Sequence, residues 1–330
     1  MVEILGIELF RYQRAAGQDV VAGLSWDVLV IFSFVAVFTF LVHFIVRDLI
    51  NPADHSNPGD GPPPSEVEAD LEERGIEEVH RFTATQRASH WIMAISVFLL
   101  MLSGFVLMNP NLTLNPPFGI SWVDIHIVFS IVFIGYVIFH IGHVAYNGTW
   151  MEMWFGRRDI KDLLVRFDHM IGRREQYPRQ FKYPSAQKLL HLNVILVSFG
   201  IVLTGLVLLR RVTIPGLWTE TREFTFLGIH FGTGFGSPGW GLVDWSFVLH
   251  DFLAIAMVAL VLGHIYFALR PEEWGITRSM ITGTVSRETY AEKYSPSSWD
   301  IGSDGDDSGG EGDLPGGGQG PTPEVAQESD

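Results

Sequence analysis

An all-α membrane protein with five transmembrane helices is the fold class this sequence predicts, and three observations predict it. Five stretches, about 27–46, 90–108, 123–145, 189–209 and 245–270, each approach the roughly twenty apolar residues a helix needs to cross a bilayer. Lipid offers no solvent for unpaired backbone groups, so helices are the natural form for spans of this length. The connections then divide by charge: one side of the five spans carries 17 lysines and arginines and the other carries 5. Basic residues concentrate on the cytoplasmic side, which predicts a multi-pass cell-membrane protein with its N-terminus outside and its C-terminus in the cytoplasm.

The polar remainder is strongly acidic. Of the 330 residues 47% are hydrophobic, and the net charge of −15 is concentrated in two segments. Residues 51–80 hold nine acidic residues against Arg74 alone, and residues 300–330 hold nine more with no base. Both are rich in Gly or Pro and read as disordered. No nucleic-acid partner is expected from such a balance. The absence of cysteine excludes iron–sulfur ligation, disulfides and thioether attachment of a cofactor. No cleavable signal peptide is expected. The first apolar run begins near Trp26, behind an amphipathic stretch with Phe10, Arg11, Tyr12 and Arg14.

The fifth span organises the rest. His250 and His264 are fourteen residues apart, about 40° short of four full helical turns, so both imidazoles lie near one face. They are about 21 Å apart along the axis, one near each surface of the hydrocarbon core. Ionisable groups inside a membrane are costly and usually functional. Two on one face at opposite depths suggest two cofactors stacked across the bilayer. At the outer level His126, early in the third span, is the one membrane histidine that matches His250. At the inner level His264 has several possible mates: His90, His140, His143, His191 and His43. His140 repeats the fourteen-residue spacing from His126, so two helices bearing H-x13-H could serve both levels unaided.

A faint internal repeat runs beside this pattern. Gln86, Arg87, His90 and the pair Ser103–Gly104 recur as Gln187, Lys188, His191 and Thr204–Gly205, each offset by 101 residues. The small pairs allow close approach of a helix or of a flat cofactor. Of the outer loops, 109–122 has no base, and 210–244, rich in Gly, Trp and Phe, is the docking candidate for an extracytoplasmic partner. His55, His80, His169 and His230 fall in loops and are expected to be solvated.

Residues 81–295 resemble the cytochrome b (gamma) subunit of respiratory formate dehydrogenases, within the broader group that includes hydrogenase b-type cytochromes. The matching marks are R-F-T-x-x-x-R-x-S-H-W from Arg81 running into Leu102-Ser103-Gly104, and Ile125-His126. They continue with K-Y-x-x-x-Q-K (Lys182 to Lys188), T-G-x-x-L (Thr204 to Leu208), the His250–His264 pair and G-x-V-S-R (Gly283 to Arg287). The resemblance implies a four-helix di-haem cytochrome b bundle holding two non-covalent haem b groups. His90 and His264 would be the axial ligands of the inner haem, and His126 and His250 those of the outer one. His140 in place of His90 is the alternative. Bis-histidine ligation favours electron transfer over oxygen chemistry. The implied role is a membrane anchor that passes electrons between an extracytoplasmic oxidoreductase and a quinone such as menaquinone. The implied partners are the catalytic and iron–sulfur subunits of a molybdenum oxidoreductase, or a hydrogenase, together with membrane lipid.

The chain departs from that pattern in three places. Residues 1–47 add a first span, 48–80 form an acidic linker, and 296–330 form an acidic tail. The family's Y-N-A-G-Q-K quinone stretch reads Tyr183, Pro184, Ser185, Ala186, Gln187, Lys188, leaving Ser185 and Gln187 as the candidate hydrogen-bond partners. Arg81, Arg87 and Lys188 sit where the carboxylates of an inner haem could meet them. The competing readings are a hydrogenase or sulfur-compound reductase subunit, a free-standing quinol-dependent reductase, and a haem-free scaffold that uses its histidines as titrating groups.

Overall fold

A computed structural model gives the structure, and it describes residues 3–4, 7–15, 18–50, 61–109, 112, 114–116, 119–148, 150–173, 178–209, 224–226, 229–231, 242–299 and 301. The chain opens with two short antiparallel pairs, β1 (Glu3–Ile4) with β2 (Ile7–Glu8) and β3 (Phe10–Ala15) with β4 (Gln18–Leu24). The stretch around Arg11 is therefore a hairpin rather than an amphipathic lead-in, and a bulge between Arg11 and Tyr12 breaks its register. Ser25 caps α1 (Trp26–Phe44), accepting the Val28 N–H, and a π-helical turn over Ile45–Ile50 prolongs it.

The spans that follow are α3 (Ala84–Met108), α4 (Trp122–Asn147), α6 (Ser185–Leu209) and α7 (Leu242–Ala268), with the short helices α2 (Pro64–Glu73) and α5 (Arg157–Met170) between them. Local chemistry explains where they begin. Thr83 and Gln86 form a reciprocal capping box on α3, and Ser121 caps α4 through the Asp124 N–H. Gly148, at φ +67°, ends α4 in the left-handed conformation. With α1, these make five helices long and apolar enough to cross a membrane, at the places the hydropathy pattern predicts. Among the described residues the strands form only two-stranded pairs and close no sheet, so this is an all-α membrane protein.

The four spans after α1 pair as two antiparallel hairpins, α3 with α4 and α6 with α7, each packed along its length. Gly200 marks the closeness of the second pair: a Cβ there would come within 2.6 Å of Leu253 Cδ1. The added helix α1 lies against α7, with Phe40 stacked on Tyr266 and Phe32 edge-on to Phe252. His43 is part of that contact, its Nδ1 3.0 Å from the Tyr266 hydroxyl.

All five spans run between the same two ends. At the hairpin end sit β3, β4, the C-terminus of α3 and the N-terminal part of α7. At the other end a small cap is built from α2, β5 (Glu78–His80), α8 (Trp274–Thr282), β8 (Thr284–Ser286) and α9 (Arg287–Lys293), while β6 (Phe224–Phe226) and β7 (Ile229–Phe231) pair within the 210–244 connection. The cap has its own core of Val67, Leu71, Val79, Ile276, Val285, Tyr290, Ala291, Tyr294 and Trp299. This corrects the reading of the acidic linker as disordered: residues 64–80 fold, because Val67 and Leu71 give α2 an apolar face one turn apart while its carboxylates stay in water. Trp299 and Ile301, at the start of the acidic tail, also pack into this core. The remainder of the tail, residues 51–60 and most of the 210–244 loop lie outside the described residues.

Candidate haem-binding and electron-transfer site

The expected histidines converge on two levels. At the hairpin end His126 of α4 and His250 of α7 face each other with ring centroids 6.4 Å apart and planes at 66°. At the cap end His90 of α3 and His264 of α7 do the same at 6.1 Å and 64°. His140 turns elsewhere: its Nε2 lies 3.3 Å from Nε2 of His191 on α6, and its ring stacks on Tyr136. An imidazole pair joined Nε2 to Nε2 shares one proton, so one ring donates and the other accepts. His143 contacts Asn147 one turn along its own helix.

The 101-residue repeat has a structural counterpart. Nδ1 of His126 is 2.9 Å from Ser103 Oγ, and Nδ1 of His250 is 2.9 Å from Thr204 Oγ1. Each hydroxyl has a single proton and already donates it to its own helix, Ser103 to the Leu99 carbonyl at 2.7 Å and Thr204 to the Gly200 carbonyl at 2.8 Å. With the hydroxyl protons placed on those carbonyls, the histidine Nδ1–H is the donor in both pairs. That tautomer leaves a bare Nε2 on each ring, the form a metal requires. The adjacent glycines make room for the rings. A Cβ on Gly104 would stand 3.7 Å from His126 Cε1, and one on Gly205 would stand 3.4 Å from His250 Cε1.

This donor set fits haem. Two imidazoles bound to one metal through nitrogen at about 2 Å would hold their centroids about 6 Å apart, as both pairs do. Among the described residues no group of three or more His, Cys, Asp or Glu side chains could hold a metal ion, and two imidazoles at each level are the number of ligands a haem iron would take from the protein.

The cap-end polar residues are more committed to the protein than their sequence positions suggest. Ser185 is fully buried, and its hydroxyl donates to Asp159 Oδ1 at 3.0 Å. Lys188 Nζ lies 3.3 Å from the same oxygen. Burial alone would raise the Asp159 carboxyl, but the Gly156 N–H, the Ser185 hydroxyl and Lys188 hold it below the usual value. Gln187 is exposed, and its Oε1 accepts from Arg81 at 3.3 Å. Arg81 is buried, which lowers its affinity for its proton, and it also donates to Ser279 Oγ at 3.1 Å and stacks over Phe82. Arg87 donates to the Ile281 carbonyl.

Three features escaped the sequence reading. Asp159 lies in an amphipathic helix whose inward face, Asp159 and His169, is set by helical spacing, and His169 is buried rather than solvated. His80 is exposed, though on β5 rather than in a loop. His55 and the side chain of His230 lie outside the described residues. The third is Asp251, a carboxylate next to His250 within an apolar span. Its cost in lipid was the available signal that it has a partner, and that partner is Arg11 at 2.9 Å.

Residues 81–283 match the family described as prokaryotic cytochrome b561. The chain is 25% identical over 214 residues to the cytochrome b556(Fdn) subunit of the nitrate-inducible formate dehydrogenase of Escherichia coli K12, covering 64% of this chain and 85% of that protein. It is 22% identical over 221 residues to the cytochrome b556(fdo) subunit of formate dehydrogenase from the same strain, covering 66% and 89%.

Proposed function

Because this chain belongs to the prokaryotic cytochrome b561 family, we propose that it is the membrane-anchoring di-haem cytochrome b subunit of a formate dehydrogenase-type respiratory complex. The observation that carries this reading is the pair of equivalent imidazole clamps, His90–His264 and His126–His250, at two depths on one shared helix. Each clamp would hold one haem b, and the haem supplies one-electron chemistry. The chain's own residues supply the rest. The hydroxyls of Ser103 and Thr204 orient the hairpin-end rings, and the apolar helices keep water from both levels. The basic asymmetry of the loops supports a hairpin end facing out and a cap facing the cytoplasm. Electrons from an extracytoplasmic oxidoreductase would enter at the hairpin end and leave to a quinone at the cap end.

For the quinone, the exposed Gln187 beside Arg81 is the better contact, whereas Ser185 acts indirectly by holding Asp159 at the start of α6. The relatives are named as cytochrome subunits of formate dehydrogenases, which supports the other subunits of such an enzyme as partners; on this reading those would be a catalytic and an iron–sulfur subunit. A reduced-minus-oxidised spectrum of purified protein tests the reading. Two b-type haems per chain are expected, falling to one in His126→Ala and to one in His264→Ala, with His140→Ala keeping both. A spectrum without haem bands, or loss of a haem in His140→Ala alone, overturns it. Co-purification from the native membrane tests the partner.

A further inference from the structure

The N-terminal segment lies before the residues that match the family, yet it closes on the helix that carries His250 and His264. Arg11 makes the closure. Its Nε donates to the Leu24 carbonyl at 2.7 Å, one terminal nitrogen donates to the Met108 carbonyl at the end of α3, and the other donates to Asp251 Oδ2 at 2.9 Å. The same carboxylate oxygen accepts the Leu24 N–H at 3.0 Å. Gly23 makes the approach possible. It sits at φ +139°, and a Cβ there would lie 2.1 Å from Asp251 Oδ2 and 2.6 Å from an Arg11 terminal nitrogen. Around the ion pair Leu24, Leu29, Met108 and Ile255 form a buried apolar seal, backed by Phe105 and Val248.

The position of this seal gives it meaning. Asp251 follows His250 directly, and Met108 lies one helical turn beyond Gly104. One guanidinium thus grips α3 and α7 beside the two hydroxyl–imidazole pairs, Ser103–His126 and Thr204–His250. The charges are partly buried, with 24% and 16% of the two side chains exposed, so each depends on the other for solvation.

We propose that Arg11, Gly23 and Asp251 form a latch that fixes α7 against α3 and thereby sets the orientation of the His250 imidazole. They are positioning residues for the hairpin-end haem and leave the cap-end haem untouched. The proposal rests on the two-haem reading above. Redox titration of the full-length protein tests it, with the hairpin-end centre assigned by its loss in His126→Ala. In Arg11→Gln and Gly23→Val the midpoint potential and low-spin spectroscopic signature of the hairpin-end centre shift, while those of the cap-end centre do not. Arg11→Lys, which keeps the charge opposite Asp251 but loses the carbonyl bonds, gives a smaller shift and covers the case in which the harsher variants fold poorly. Protease access to the N-terminal hairpin rises in the same order. A hairpin-end centre that stays unmoved, or two centres that shift together, overturns the latch while leaving the two-haem reading intact. Wild-type protein without two haems overturns both.

Discussion

Ser103 and Thr204 each commit a hydroxyl proton to a helix carbonyl, and each thereby becomes an acceptor for a histidine on the neighbouring helix. Removing the acceptor frees the imidazole to rotate. Ser103→Ala and Thr204→Val should therefore weaken haem retention at the hairpin end by about 10- to 100-fold, measured by haem titration, with the cap-end site unchanged. Gly205 sets a second limit. A methyl group there meets His250 at 3.4 Å, so Gly205→Ala should be tolerated, whereas Gly205→Leu should abolish the hairpin-end haem band. The repeat that carries these residues was legible from their 101-residue offset. What they touch was not, because the contact runs between helices whose rotation depends on packing. The same holds for His140: residue counting gives its depth, but its azimuth toward His191 is decided by how α4 lies against α6.

At the scale of elements, the junction of α5 with α6 depends on one carboxylate. Asp159 has a depressed pKa in the folded chain, so its stabilising contribution is complete above the ordinary value of 3.8 and is lost as the pH falls below it. Asp159→Asn should remove that acid sensitivity and cost about 2 kcal/mol at neutral pH, because Lys188 loses its ion-pair partner. Thermal unfolding at pH 7 and pH 3.5 checks both parts. In the cap, Tyr294 is fully buried between Tyr290 and Trp299. Tyr294→Ala should cost about 3 kcal/mol and release α2 to proteolysis before the spans unfold. The five spans were legible because lipid demands long apolar runs, a signal that survives without any knowledge of packing. The cap was hidden because its signal is weak. Val67 and Leu71 are two apolar positions in an acidic decamer, and they make sense only beside Ile276, Val285 and Tyr294, over 200 residues later.

For the molecule as a whole, the direction in which it crosses the membrane is open to direct test. The chain contains no cysteine, so single substitutions can be labelled without background. Ile120→Cys at the hairpin end should react with an impermeant maleimide applied to intact cells, and Ser297→Cys in the cap should react only after the cells are opened. Reversed labelling would invert the proposed direction of electron flow relative to the bilayer while leaving both histidine pairs in place.

Arg11 and Asp251 are separated by 240 residues. At the usual pace of a ribosome the aspartate is made roughly 10 to 50 s after the arginine. Until then Arg11 can reach only the Leu24 carbonyl and, once α3 has been made, the Met108 carbonyl; its charge partner is missing. Because His250 is made one residue before Asp251, the facing imidazoles at the hairpin end and the clasp across them can be completed only together, once most of the chain has been translated.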